Sequence, residues 1–215
     1  MATDAAAQPQ KRRVRKRIWI PTALLGVLAL SALWLVWRGT STETVERNPT
    51  SAADGPVTQL LTQEGRTFVR TAIVVPAPPA AVWKVVTDYD SHPKFIPYVS
   101  EMSSQKRDDG RVHLTGVAHS RLWGDFPFQS DVTHAEKPAQ DEYAASWHEE
   151  GKAGFLVDRG GWKVLRLSDD QSLLIFTLQM EIEGYPNFLV RNILMDRVGT
   201  IVQSMRDEVV KRRRG

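Results

Sequence analysis

The sequence predicts an α+β domain in which antiparallel strands are followed by one long C-terminal helix, behind an N-terminal transmembrane helix. Three observations carry this. Ile18 to Trp37 runs for twenty residues without a charge. Val99 to Ile182 is a succession of strand-like stretches divided by turn residues. From Tyr185-Pro186 onward, apolar residues recur at helical spacing.

A chain of 215 residues suggests one domain plus a tail, and 42% hydrophobic with 25% charged residues fits a globular protein. The absence of cysteine excludes disulfides, thiolate zinc sites and cysteine nucleophiles. An isoelectric point near 9.3 invites a nucleic-acid reading, but the charge is in the wrong place for one. Six basic side chains against Asp4 give the first 17 residues +5, which leaves −2 over the rest and −6 once Lys211 to Arg214 is set aside. A nucleic-acid domain carries its cations on the folded face that meets phosphate, so no nucleic-acid partner is expected.

The N-terminal elements follow in order. Residues 1–17 read as a basic cytoplasmic tail, and residues 18–37 (IWIPTALLGVLALSALWLVW) as a single membrane span, long enough at 1.5 Å per residue for a hydrocarbon core of ~30 Å. Trp19, Trp34 and Trp37 sit where interfacial aromatics belong, and the basic flank should stay inside, placing the C-terminal domain in the periplasm or another extracytoplasmic space. A cleaved secretory signal is the alternative. Its h-region would be shorter, and no small-x-small site precedes the polar run. Residues 38–64 read as a flexible linker, in which the stretch from Arg38 to about Thr58 is rich in Ser, Thr, Pro and Gly and has a reach of roughly 25 Å. The folded domain is then 65–215.

Arg66 to Val75 is β-branched and aromatic between Gly65 and Pro76, and reads as the first strand. Pro78-Pro79 opens a short helix, since proline is tolerated where amides lack intrahelical partners. His92 to Val99, with Pro93 and Pro97, has room for about one helical turn. Asp108-Asp109-Gly110 marks a hairpin, with further breaks at 137–142, 150–152 and 168–171. Gly160-Gly161 precedes Trp162 inside a strand pattern and reads as a bulge. The last strand places Leu174, Phe176, Leu178, Met180 and Ile182 on one apolar face that needs a cover. Pro186 to about Arg212 supplies it, a helix of about 40 Å with Leu194, Val198, Ile201, Val202, Met205 and Val209 on one stripe.

The run Val74 to Ser100 (VVPAPPAAVWKVVTDYDSHPKFIPYVS), with Gly160-Gly161-Trp162, the Leu174 to Met180 strand and the Tyr185 to Arg191 helix start, resembles the START-like (SRPBCC) superfamily, in the branch of polyketide cyclases and coenzyme Q-binding proteins. The resemblance spans about Gly65 to Arg212. It implies the helix-grip fold, a curved antiparallel sheet of about seven strands around the long C-terminal helix. It also implies a cavity between sheet and helix for lipids, quinones, polyketides and similar molecules. The N-terminal transmembrane helix is not part of that family's core.

Aromatic residues are the first candidates for the cavity wall: Trp83, Phe95, Tyr98, Trp123, Phe126, Phe128, Trp147, Trp162, Phe176, Tyr185 and Phe188, with Leu189 beside them. Trp83 and Phe95 lie on short helices that must dock on the sheet and suit the core better, whereas Trp123, Phe126 and Phe128 flank Gly124 and Pro127 and could form a rim. Candidate polar groups are His119, Arg121, Asp131 and His148. A hairpin turning at Ala139-Gln140 would bring Asp131 near His148, either as a buried acid/base pair or as an exposed ion pair. His113 and His119, six residues apart, are about 20 Å distant along a strand and cannot share a metal. No phosphate-binding glycine loop, nucleophile motif or metal-ligand series is present, so no catalytic residue, metal or cofactor is assigned.

The expectation is a membrane-anchored binding or carrier module for a hydrophobic small molecule such as a lipid or isoprenoid quinone. A cyclase or aromatase acting on a polyketide-like substrate is one rival, and a packed scaffold that binds a protein partner is another.

Overall fold

A computed structural model describes residues 52–120, 124–152 and 154–215. The expected membrane span and most of the linker, together with Arg121 and Trp123, lie outside these residues. Among the described residues no helix is long and apolar enough to cross a membrane.

Eight strands form one sheet in the order β1-β2-β8-β7-β6-β5-β4-β3, every neighbouring pair antiparallel. They are β1 (Val57–Gln63), β2 (Arg66–Val75), β3 (Val99–Lys106), β4 (Val112–Ser120), β5 (Gly124–Lys137), β6 (Glu142–Lys152), β7 (Phe155–Ser168) and β8 (Gln171–Ile182). A short helix α1 (Pro79–Val86) and a 3-10 segment (Tyr89–Lys94) join β2 to β3, and a long helix α2 (Asn187–Arg214) closes the chain. This is the helix-grip arrangement.

The expected linker of 38–64 is corrected at its end, because Val57–Gln63 is a strand. Glu64 and Gly65, at φ 51° and 73°, turn it back onto β2, with Gln63 opposite Arg66. Both central residues at positive φ match the tight hairpin turn whose twist suits antiparallel strands. Arg66–Val75 is therefore the second strand. The sheet has eight strands instead of about seven. The Gly160-Gly161 bulge is likewise corrected: Gly160 faces Trp147 and Gly161 faces Ser146 in unbroken register. The irregularities of β7 fall at Phe155/Val157 and Arg166/Ser168.

The inner face of the sheet meets α1 and α2. Helix α2 begins after Pro186, whose fixed φ suits an N-cap, and buries Val190, Val198, Val202, Met205 and Val209. At 28 residues it is about 42 Å long. It packs on β1, β2 and β8 and on α1. The main core gathers Ile73, Val82, Trp83, Val86, Tyr143, Val164, Leu174, Val198, Val202 and Met205, all buried. That core lies at the end of the sheet nearer α1, and toward the other end the interior opens.

Candidate ligand cavity

The inner faces of β3 to β8, the 3-10 segment and the first half of α2 enclose a cavity of about 720 Å³. Its wall is mostly apolar and aromatic, with Met102, Leu114, Phe126, Phe128, Trp147, Phe155, Trp162, Phe176, Met180 and Ile182 from the sheet and Ile193, Leu194, Val198 and Ile201 from α2. Strand alternation explains who is there. On β5 the even-numbered residues Phe126, Phe128, Ser130 and Val132 face in, while Asp125, Gln129, Asp131 and Thr133 face out.

Two cross-strand pairs of an aromatic with a glycine shape the wall. Gly160 pairs with Trp147, and a Cβ on Gly160 would stand 2.6 Å from Trp147 Cζ2. Gly116 pairs with Phe128, and a Cβ there would meet Phe128 Cζ at 2.6 Å. Both rings lie over the neighbouring glycine because it has no side chain, so the aromatic flattens against the sheet and leaves the centre open. Trp162 and Phe176 meet at 4.2 Å between centroids with their planes tilted by 32°, and Trp147 stands 6.0 Å from Phe176.

Asp158 supplies the chemistry of the wall. It is 9% exposed, and the Trp147 Nε1–H donates to its Oδ1 at 2.9 Å. Burial pushes its carboxyl up to about 6, the Trp147 bond opposes the shift, and the charge of Glu149 on β6 adds to it. Glu149 faces Asp158 in register, is also buried, and accepts the Asp131 backbone N–H at 2.9 Å. Ser130 is a second buried polar residue of the wall. His92 is a third, held down to about 4 by burial, with its Nε2 3.3 Å from the Val85 carbonyl. A neutral imidazole donating there has its donor already occupied.

Where α2 faces the start of β3, Tyr98 and an exposed Arg197 stand among the lining residues. Arg197 donates to the Tyr98 hydroxyl at 2.7 Å, and its guanidinium stands 4.9 Å from the Tyr98 ring centroid. Tyr98 holds φ 70°, a left-handed conformation that costs a non-glycine residue about 1 kcal/mol.

The structure places Tyr98, Phe126, Phe128, Trp147, Trp162 and Phe176 together on the wall. It places five other candidates elsewhere. Trp83 is core, stacked on Tyr143 at 5.6 Å and donating to Glu136 at 3.0 Å. Phe95 packs under Arg212 at the other end of α2. Tyr185 packs against a small cluster of Phe155, Ile182 and Val190, of which Phe155 and Ile182 are wall residues, and does not itself line the cavity. Phe188, 59% exposed, and Leu189, 38%, lie on the outer side of the first turn of α2, because Val190 takes the inward position.

Of the polar candidates, His119 stands among the lining residues, Asp131 and His148 do not, and Arg121 lies outside the described residues. Asp131 lies on the outer face, bonded to His113 Nδ1 at 2.7 Å and flanked by Arg107 and Arg111, and the His113 bond holds its carboxyl below the usual range. His148 is exposed and partnered by Arg159 on β7. The outward phase of odd residues on β5 and even ones on β6 accounts for both. His119 reaches the rim, with an exposed imidazole 2.6 Å from Asp125. Among the described residues no group of three or more His, Asp or Glu could hold a metal.

Sequence reasoning missed Asp158, Ser130 and Phe155. A charged residue four positions before Trp162 on the same strand face was the available signal for Asp158. The irregularity at Phe155/Val157 leaves that spacing intact but shifts the inward phase from 155 to 158, so Phe155 and Asp158 do not read as one face in the sequence. A smaller hollow of about 370 Å³, with Arg66, Glu181, Asn187 and Arg191 at its edge, lies on the other side of Leu178, Met180 and Leu194.

A family described as polyketide cyclase / dehydrase and lipid transport matches residues 75–215. No curated protein matches the chain. Among solved structures, the human StAR-related lipid transfer protein 5 is similar at TM-score 0.65 and 15% identity, over 90% of this chain and 98% of that one. The STAR-related lipid transfer protein of Xanthomonas axonopodis is similar at TM-score 0.61 and 14% identity, over 73% and 94%. The Zhui aromatase/cyclase of Streptomyces sp. R1128 is similar at 0.56 and 14%, over 67% and 94%. At these identities the likeness is one of fold.

Proposed function

The chain belongs to the polyketide cyclase/dehydrase and lipid transport family, and we propose that within it this protein binds and carries a hydrophobic small molecule, a lipid or an isoprenoid quinone, without chemical turnover. The observation that carries this is the open volume of about 720 Å³ with aromatic and aliphatic walls, a size and polarity suited to one amphiphile. The lipid-transfer names of two of the similar structures support it. Residues 18–37 would hold the module at a membrane, with the domain on the extracytoplasmic side. A tether raises the concentration of the cavity beside the bilayer in which such ligands dissolve.

The test is mass spectrometry of organic extracts from purified full-length protein, beside a variant in which the cavity is blocked by Ser130→Phe. Lipid bound around an anchor would be common to both proteins. One amphiphile enriched in the wild type alone is the expected result, and identical extracts would reject the reading.

An enzyme of cyclase or aromatase type is the second reading, favoured by the buried acid Asp158 beside Glu149. Proton transfer needs further groups that converge on the substrate. Among the described residues the buried polar groups of the wall are Asp158, Ser130, a Tyr89 whose hydroxyl is paired with His134, and a His92 already engaged by a backbone carbonyl. An extracted molecule chemically altered on reincubation with the wild-type protein would favour the enzyme.

A further inference from the structure

A buried acid in an apolar wall requires a partner. A carboxylate removed from water is normally matched by a cation or by several donors, and leaving it short of them is expensive. Asp158 has one donor among the described residues, the Trp147 indole, against four lone-pair sites on its two oxygens. Its electrostatic neighbour is a second acid, Glu149, and no Lys or Arg among the described residues contributes. The arrangement is nevertheless constructed. Gly160 lets Trp147 lie flat on β7, and that posture presents the indole N–H to Asp158.

We propose that Asp158 is the specificity-determining anchor of the cavity, selecting amphiphiles whose polar end donates a hydrogen bond, a hydroxyl or an ammonium, with their hydrocarbon along Trp147, Trp162 and Phe176. This rests on the carrier reading above and narrows its ligand class. A hydroxyl or ammonium supplies the donor that the carboxylate lacks. An acceptor-only head, such as an ether or the carbonyl of an oxidised quinone, sets lone pairs against lone pairs. Among isoprenoids the reduced quinol would therefore be held in preference to the quinone.

The experiment follows Trp fluorescence of the full-length protein on titration at pH 7.5 with four probes of one chain length: 1-dodecanol, dodecylamine, dodecyl methyl ether and dodecane. The charge-assisted bond should make the alcohol, the amine or both bind about ten- to a hundredfold more tightly than the ether. Which of the two leads tells whether the head is neutral or cationic. In Asp158→Leu the preference should vanish while dodecane still binds. Equal binding of all four probes by the wild type, or a preference that survives in Asp158→Leu, would overturn the proposal and leave the carrier reading intact. Binding of none would overturn both. The wild-type series alone decides the matter if the variant does not fold.

Discussion

Burial raises the Asp158 carboxyl to about 6 and lowers His92 to about 4, and the two shifts act on stability over nearly the same span of pH. For Asp158 the folded value lies above the ordinary carboxyl value of 3.8, so its contribution is fully present below 3.8 and is lost as pH rises through 6. For His92 the folded value lies below 6.5, so its contribution is present above 6.5 and is lost as pH falls through 4. Each amounts to about 3 kcal/mol at 1.36 kcal/mol per pH unit, with opposite signs. Between pH 4 and 6.5 they offset each other, and the weakly shifted surface carboxylates govern what slope remains. Asp158→Asn removes one side of the balance. Denaturant titrations should show the variant more stable than the wild type at pH 7.5 by about 2–3 kcal/mol, with the advantage shrinking toward pH 4. An advantage independent of pH would mean that Asp158 is not the buried acid described. The same phase argument limits what could be read beforehand. Phe126, Phe128, Trp162 and Phe176 are visible as large apolar residues in strand patterns, but which face of β5 or β7 is the inner one is set by pairing with the neighbouring strands, so neither Asp158 nor the outward Asp131 can be phased from local pattern alone.

Helix α2 does two tasks along its length, and its polar contacts divide the same way. The C-terminal half is seated on core by Val202, Met205 and Val209, and Arg212 fixes it there with bonds to Asp88 at 2.7 Å and Glu208 at 2.8 Å, its guanidinium over Phe95. The N-terminal half roofs the cavity, and Arg197 reaches from it to Tyr98. Exposed polar pairs contribute little to stability, on the order of 0.2–1 kcal/mol, but a contact between two lining residues at the exposed edge of a cavity would bear on passage there. Arg197→Ala should therefore change unfolding free energy by less than about 0.5 kcal/mol while speeding release of a bound fluorescent fatty alcohol severalfold in stopped-flow measurements. Arg212→Ala should do the reverse, with a loss of about 1 kcal/mol and an unaltered release rate. Equal release from all three proteins would detach the Arg197–Tyr98 contact from any role in exchange. This helix is legible from its sequence because its apolar stripe is long and Pro186 marks its start. Strand β1 is not, since Val57–Gln63 mixes Thr and Gln with Leu along a half-buried edge, and its pairing with β2 decides its structure more than its own pattern does.

The domain of the described residues joins a packed end to an open end under one sheet, and the openness is a property of composition as much as of shape. Phe128 and Trp147 could close the interior if they stood away from the sheet, but Gly116 and Gly160 let both rings lie against it. An interior left unfilled forgoes the contacts that a packed core would make. Ligand restores them, so a ligand at a hundredfold its Kd should stabilise the protein by about 2.7 kcal/mol. A side chain placed in the same space should substitute for part of that effect. Ser130 is buried on the wall, and Ser130→Phe projects a ring into the volume that the guest would occupy. Burial of the ring offsets the lost hydroxyl, and the empty variant should be more stable than the empty wild type by about 1 kcal/mol, or roughly 2–4 °C in midpoint. It should show no further rise when 1-dodecanol is added, whereas the wild type should gain several degrees. Calorimetry of both proteins, with and without the alcohol, distinguishes the outcomes. A variant that unfolds at lower temperature than the empty wild type would mean that the ring meets packed side chains instead of open space, and the cavity on which ligand carriage depends would not exist in solution.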